Sequence, residues 1–220
     1  MRDLAWLKRH TAEEDGVQVA DVTSAYAVLS IMGPNSRKLL SKLTDEDLSN
    51  DHFPFGTGKE IEIGYSKALA LRVTYVGELG WELYIPSEFA QDLYDRLLEA
   101  GKEMGLKHAG MHALNSLRLE KAYRHWGHDI TDEDTPLEAG LSFAVAWDKS
   151  GGFLGREALI RKKENGLLKK RMVQFALENP EPLLYHNEPI WCGNTIVGDT
   201  TSGMYGHSIG SCLGMGYIEN

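Results

Sequence analysis

The pattern of apolar and polar positions predicts an antiparallel sheet covered by helices in the first part of the chain. Residues 26–32 are a nearly continuous apolar run, which is typical of a buried strand. Residues 59–85 contain three more segments of strand length, and 81–85 alternates with a period of two. Apolar residues recur at helical spacing in 88–104, and Gly105 follows as a helix stop. Strands and helices in this order indicate an α+β fold with helices on one face of the sheet.

Four further segments have patterns of their own. Alternation predicts a strand over 17–22, and an apolar run predicts another over 140–147. Helical spacing predicts a helix over 111–126, closed by Gly127, and another over 153–165.

The last part of the chain predicts many short strands separated by glycine turns. Strands are expected over 171–177 and 213–218, and a turn is expected over 197–199. This pattern indicates a small C-terminal β-barrel, which we expect to be incomplete because the chain ends just after a strand. The glycine pair at 151 and 152 is the best boundary. We therefore expect an α+β core over 1–150, lacking its N-terminal part, and a linker helix with a barrel-like domain over 151–220.

Composition and charge exclude several classes of protein. The chain has 220 residues and a formal net charge of −9, which argues against a general nucleic-acid or anionic-membrane binder. A local basic pocket for a small anion stays compatible with that charge. Cys192 and Cys212 are interpreted as free thiols in a reducing compartment, with a single disulfide as the alternative. Neither a long apolar run nor a signal peptide is evident, so we expect a cytoplasmic protein, or a mitochondrial-matrix one if eukaryotic.

One hairpin carries the best candidate for ligand recognition. Trp81 and Leu83 lie on one face of its second strand, and Glu82 and Tyr84 lie on the other. A carboxylate fixed among aromatic rings can recognise a flat, nitrogen-rich ligand. By spacing alone, a solvated glutamate on the polar side of a hairpin is the commoner outcome.

No metal site is predicted. His125 and His128 straddle the expected end of a helix, and no third ligand is near in sequence. The acidic loop over 44–58 lacks the ligand spacing and the glycine of a calcium loop.

Four motifs occur in an order that resembles a known family. They are Tyr75-Val76-Gly77-Glu78-Leu79-Gly80-Trp81-Glu82, Ser116-Leu117-Arg118-Leu119-Glu120-Lys121, Pro136-Leu137-Glu138-Ala139-Gly140-Leu141 and Thr200-Thr201-Ser202-Gly203. The sequence is similar to the glycine-cleavage T-protein (aminomethyltransferase) family. In detail it resembles the folate-binding portion of dimethylglycine and sarcosine dehydrogenases.

The resemblance implies a tetrahydrofolate-dependent one-carbon transfer module. Glu82 matches the glutamate that hydrogen-bonds the pterin ring, and Tyr75 and Phe143 match aromatic residues that pack against the cofactor. Arg118 also matches a family arginine and is a candidate ligand contact, although we interpret it as mostly structural. No catalytic residue is assigned, because the family's catalytic aspartate lies upstream of this chain. The isolated chain is thus expected to be an inactive fragment.

Three hypotheses remain open for the whole protein. In the first, a flavin (FAD) domain of the parent oxidises a small methylated amine, and this module passes the imine or formaldehyde carbon to tetrahydrofolate. The second is a stand-alone aminomethyltransferase, against which Leu114 counts because T-proteins carry a folate-contacting arginine there. The third is a non-catalytic regulatory relative, against which the presence of both Glu82 and Tyr75 counts, because a scaffold has no need of a pterin-shaped pocket. No flavin fingerprint is present in this chain.

Overall fold

A computed structural model describes residues 2–12, 14, 16–166 and 168–219. The chain divides into two compact units. The first comprises Met1–Thr74 and Glu78–Lys107, and the second comprises Tyr75–Gly77 and His108–Asn220. The boundary expected near residue 150 stays a prediction. Among the described residues, none of the helices combines the length and the apolar character needed to cross a bilayer.

The first unit is built on a four-stranded antiparallel sheet in the order β1-β4-β3-β2. Its elements are α1 (Arg2–Arg9), β1 (Tyr26–Met32), α2 (Ser36–Leu40), β2 (Gly58–Ile63), β3 (Ser66–Leu71), β4 (Gly80–Pro86) and α3 (Ala90–Gly101). Strand β4 therefore has a hydrogen-bonded neighbour on each side. Leu83, for example, lies opposite Leu29 of β1 and Ala70 of β3. The predicted antiparallel sheet with helices is confirmed.

Alternation along β4 separates a buried face from an outer face. Trp81, Leu83 and Ile85 are fully buried, in a core that includes leucines of α2 and α3. The intervening residues of β4 are half-buried on the other side of the sheet. Gly80 is required at the start of β4, because a β-carbon there would come within 2.3 Å of the Ile31 carbonyl oxygen. The absence of that side chain lets β1 and β4 pair closely.

The prediction of a strand over 17–22 is wrong. That segment is irregular, and its two valines, Val17 and Val22, are 59% and 56% exposed. Alternation alone does not make a strand, because the backbone groups also need a neighbouring strand to pair with.

The second unit contains another four-stranded antiparallel sheet, in the order β5-β8-β7-β6. Its elements are α4 (Met111–Glu120), α5 (Arg156–Glu164), β5 (Lys170–Ala176), β6 (Pro189–Cys192), β7 (Thr195–Gly206) and β8 (Ser211–Glu219). Its buried cluster joins Leu119 of α4 to Met172, Leu213 and Met215 of the sheet. Within the described residues this sheet is open, with β5 and β6 at its edges, which agrees with an incomplete barrel.

Helix α4 ends at Glu120, six residues before the predicted end at 126. Ala122 has a left-handed backbone (φ 55°), and the backbone N–H of Tyr123 donates to the Arg118 carbonyl at 3.0 Å. A left-handed alanine is a rare helix ending, which explains why the sequence pattern pointed to Gly127 instead.

Two other predictions in this unit are wrong. Residues 140–147 form a short 3₁₀ turn, Ser142–Ala144, rather than a strand. The turn expected at 197–199 lies inside the long strand β7. Gly198 marks close contact between strands instead of a turn, because a β-carbon there would lie 1.8 Å from the Tyr217 carbonyl oxygen.

Candidate functional site

Glu82 lies on the outer face of β4 in the first unit. Its backbone is fixed by neighbours on both sides, Ser30 of β1 and Leu71 of β3. The Tyr84 hydroxyl, two residues along the same face, donates to Glu82 Oε2 at 3.0 Å. Burial, together with the hydrogen bond to Glu82, raises the pKa of Tyr84, so this hydroxyl stays protonated as a donor at neutral pH.

The Glu82 carboxylate has acceptor capacity to spare. An ionised carboxylate offers about four lone-pair sites. Among the described residues, its hydrogen bond is the one from Tyr84. The residue is half-buried on the outer face of β4, and its remaining acceptor sites have no hydrogen-bond donor among the described residues. Such a carboxylate can accept two parallel N–H groups from a flat nitrogen heterocycle.

Tyr75 belongs to the second unit, in the short segment Tyr75–Gly77. Its hydroxyl donates to the Arg124 carbonyl oxygen at 3.0 Å, and its ring stacks on Tyr123 with centroids 6.4 Å apart. Burial raises the pKa of Tyr75. The hydroxyl is therefore engaged in a hydrogen bond to a backbone carbonyl. The ring is the part of the side chain that can pack against other groups.

Arg118 lies on α4 and is only 3% exposed. Its Nη1 donates to Asp129 Oδ2 at 2.6 Å and to the Tyr123 carbonyl at 3.1 Å, and its Nη2 donates to Ser202 Oγ at 2.7 Å. These bonds tie α4 to the segment that follows it and to β7. The interpretation of Arg118 as mostly structural agrees with this arrangement.

Asp129 is the partner of Arg118 that sequence reasoning missed. It is 1% exposed and accepts four hydrogen bonds, two on each oxygen. Burial raises the pKa of Asp129, but hydrogen bonds from Ser202, Thr201 and the His125 backbone, with the Arg118 charge, outweigh it and hold the pKa below its usual value. The signal available in the sequence was the run of hydroxyl residues in the motif at 200–203. Adjacent Thr and Ser side chains can donate hydrogen bonds to a buried carboxylate.

Phe143 lies in the 3₁₀ turn Ser142–Ala144 and is 84% exposed. Among the described residues, no ring contact involves its side chain, whereas Trp147 nearby donates its indole N–H to the Ser142 carbonyl at 3.1 Å. An aromatic side chain this exposed is available for a ligand or another surface.

The four predicted ligand residues are thus divided between the units. Glu82 belongs to the first, and Tyr75, Arg118 and Phe143 belong to the second. Within the second unit, Tyr75 and Arg118 meet at Tyr123, which stacks on one and accepts a hydrogen bond from the other. Their shared role in binding one ligand stays a prediction.

The first unit is a mainly antiparallel α+β unit with an outward-facing carboxylate on β4, and the second contains an open β-sheet in its described residues. Residues 1–149 match the family described as the GCVT N-terminal domain. Residues 170–220 match the glycine cleavage T-protein C-terminal barrel domain. The chain belongs to the glycine cleavage T-protein family.

Individual relatives agree with this assignment. The chain is 46% identical over 215 residues to 4-methylaminobutanoate oxidase (formaldehyde-forming) of Paenarthrobacter nicotinovorans, covering 98% of this chain and 26% of that protein. It is 40% identical to mitochondrial dimethylglycine dehydrogenase of Homo sapiens, covering 99% of this chain and 25% of that one. The chain therefore spans about a quarter of the length of these relatives.

A solved structure has the same fold. The glycine cleavage system aminomethyltransferase T from Bartonella henselae superposes with a TM-score of 0.81 at 25% identity. The match covers 99% of this chain and 57% of that one.

Proposed function

We propose that this chain is a tetrahydrofolate-dependent one-carbon transfer module of a demethylating enzyme similar to dimethylglycine and sarcosine dehydrogenases. The observation that carries the proposal is the Glu82 carboxylate, held rigidly on β4 by Tyr84 with acceptor sites to spare. Family membership supports it, since the motif around Glu82 is one of those by which the sequence resembles folate-binding members.

The residues present fit a reduced pterin. Its amino and ring N–H groups are donors, and Glu82 offers the complementary acceptors. Tyr75 and Phe143 match aromatic residues of the family's site and have flat rings of the kind that stack on a pterin. Arg118 would act through the fold, because most of its donors are engaged by protein groups. Tetrahydrofolate, when bound, supplies the nitrogen nucleophiles that accept a carbon at the formaldehyde oxidation level.

The amine oxidation belongs, in this proposal, to another part of the parent protein. A flavin domain would convert an N-methyl amine to an imine or formaldehyde, and formaldehyde combines with tetrahydrofolate to give 5,10-methylenetetrahydrofolate and water. The relatives, a formaldehyde-forming 4-methylaminobutanoate oxidase and a dimethylglycine dehydrogenase, support a small methylated amine as substrate. The substrate class rests on these relatives and on no contact in this chain.

Calorimetric titration with tetrahydrofolate tests the assignment of Glu82. Glu82→Ala removes a charged hydrogen-bond acceptor, so binding should weaken by about 1.5–3 kcal/mol, or roughly 10- to 150-fold. Glu62→Ala is a matched control, because Glu62 is an exposed glutamate of the same sheet, on β2. Unchanged affinity in Glu82→Ala, or equal loss in both variants, refutes the pterin assignment.

A stand-alone aminomethyltransferase of glycine cleavage is the second candidate. The solved aminomethyltransferase T structure favours it, since the same fold covers nearly all of this chain. Leu114 disfavours this candidate, because the T-proteins of the family carry an arginine that contacts the folate at that position. Sequencing the complete reading frame separates the two: a flavin-binding domain in the same chain supports the first candidate, and a short N-terminal subdomain alone supports the second. If tetrahydrofolate does not bind at all, both are wrong and a non-catalytic regulatory relative is left.

A further inference from the structure

A cavity of about 570 Å³ lies wholly within the second unit. Helix α4 forms one side and β7 another, and the segments 125–128 and 183–186 complete it. Its volume falls within the range of about 300–1,000 Å³ that is usual for small-molecule sites. The candidate pterin ligand Glu82 does not line it.

Four imidazoles surround this cavity. His125 and His128 have ring centroids 5.8 Å apart, and His128 and His186 have centroids 5.6 Å apart. His112 of α4 is the fourth. Throughout the described ranges, no hydrogen bond reaches their ring nitrogens, so these atoms are available to a ligand. Among the described residues there, no group of three or more His, Cys, Asp or Glu side chains is arranged to hold a metal ion, which favours a ligand that accepts hydrogen bonds.

The lining also holds Arg118, two tyrosines, Asn115 and Ser202, of which only the arginine is a pure hydrogen-bond donor. Arg118 lines the wall, and four hydrogen bonds engage four of its five N–H groups, leaving one N–H of Nη2 without a protein acceptor in the described part of the chain. Tyr185 and Tyr205 are the remaining titratable groups of the lining.

Of the residues that the structure describes, no carboxylate lines the cavity. Asp129 lies behind Arg118 with its acceptor sites filled. Glu188 interacts electrostatically with His186. Its carboxylate accepts hydrogen bonds from the Tyr185 backbone N–H and from the Thr200 hydroxyl. The cavity is consequently rich in hydrogen-bond donors and poor in negative charge.

The rest of the lining is aromatic and apolar. Trp126 is 55% exposed and Tyr185 is 65% exposed, so both rings present open faces at the rim. Leu183, Leu184 and Met204 supply an aliphatic wall. Flat rings stack favourably on such a surface, and burying them removes apolar area from water.

We propose that this cavity is a second ligand site, separate from the Glu82 site, and that it binds a small aromatic carboxylate. The carboxylate accepts hydrogen bonds from the imidazoles and from Arg118 Nη2, while its ring packs against Trp126 and Tyr185. Donor-rich polar groups and an aromatic rim together select this chemistry over cations and over purely aliphatic anions.

Titration with indole-3-acetate and its neutral amide, indole-3-acetamide, tests the charge requirement. The two probes share the ring and differ in the charged oxygen, so the amide should bind at least about tenfold more weakly, because it forms no charge-assisted hydrogen bonds. Ligand-observed NMR with the whole chain measures both affinities. Equal affinities, or no saturable binding of the acid up to about 10 mM, overturn the proposal.

Two variants test the location. His125→Ala with His128→Ala should weaken indole-3-acetate binding at least about fivefold by removing two imidazole donors. His52→Ala is the control, since this histidine pairs with Asp47 in the first unit and should leave binding unchanged. Equal effects of the double variant and the control overturn the assignment.

Glu82→Ala and saturating tetrahydrofolate test the separation of the two sites. Neither should change the affinity for indole-3-acetate. If either lowers it, the cavity is part of the folate site and the proposal of a second site is wrong. If tetrahydrofolate does not bind at all, the affinity for indole-3-acetate can still be measured. Either proposal can therefore be refuted while the other stands.

Discussion

Replacing Asp129 by Asn tests the buried network of the second unit most directly. Each carboxylate oxygen receives two donors: Oδ2 from Arg118 and the His125 backbone, and Oδ1 from Thr201 and Ser202. An asparagine turns one oxygen into an NH₂ group, which then faces two donors. Rotation of the hydroxyls can relieve the clash on the Oδ1 side, but the negative charge is still lost.

The expected cost follows from burial. The side chains of Arg118 and Asp129 are 3% and 0% exposed, so the guanidinium in the variant stays buried without a counterion. Breaking a buried pair in this way costs about 3–5 kcal/mol of unfolding free energy. Urea unfolding followed by circular dichroism should show this loss in the second unit. Asp148→Asn, an exposed aspartate of the same unit, should change stability by less than about 0.5 kcal/mol.

The pH dependence gives a second readout with a definite sign. The folded-state pKa of Asp129 is held below its unfolded value, so its contribution is fully present above about pH 4 and is lost as the pH falls through the lower, folded-state pKa. The difference between wild type and Asp129→Asn should therefore be constant at neutral pH and shrink in acid. A loss below about 1 kcal/mol at pH 7 would refute the account of this network.

Three further predictions concern other parts of the chain. Tyr84→Phe should weaken tetrahydrofolate binding by about 0.5–1.5 kcal/mol in calorimetry, because it removes the donor that orients Glu82. Gly198→Ala should lower the unfolding free energy by about 1–3 kcal/mol in urea titrations, because its β-carbon would strike the backbone of β8. Cys192 is exposed and Cys212 is buried, so a thiol reagent should modify one cysteine in the folded chain and two in urea.

Elements with a strong local pattern could be predicted from the sequence. The apolar run at 26–32 coincides with β1, Tyr26–Met32, because Gly33 and Pro34 end it clearly. The prediction that this strand is buried is wrong, because β1 lies at an edge of the described sheet and three of its residues are exposed. The alternation at 81–85 placed Trp81 in the core and Glu82 on the outer face, as observed. The same alternation at 17–22 gave a wrong prediction, because one segment alone does not show whether another strand pairs with it.

Features that depend on distant partners could not be predicted. The early end of α4 involves Arg118, whose side chain holds the Tyr123 carbonyl while Ala122 turns left-handed. Asp129 opens an acidic stretch that contains Pro136, a pattern typical of a connector between elements. Its burial depends on Ser202, 73 residues away, and no local rule links the two. The cavity is similar, since segments more than fifty residues apart form it.

Counting acceptor sites explains why two carboxylates of this chain have different roles. Asp129 accepts four hydrogen bonds from protein groups and has no lone pair to offer a ligand, so it contributes to stability. Glu82 is oriented by Tyr84 alone among the described residues and keeps most of its capacity, so its effect should appear in binding. Glu82→Ala should then change ligand affinity with little effect on unfolding, and Asp129→Asn should lower the stability of the second unit. If Glu82→Ala proves as destabilising as Asp129→Asn, its carboxylate serves the fold, and the pterin assignment loses its physical basis.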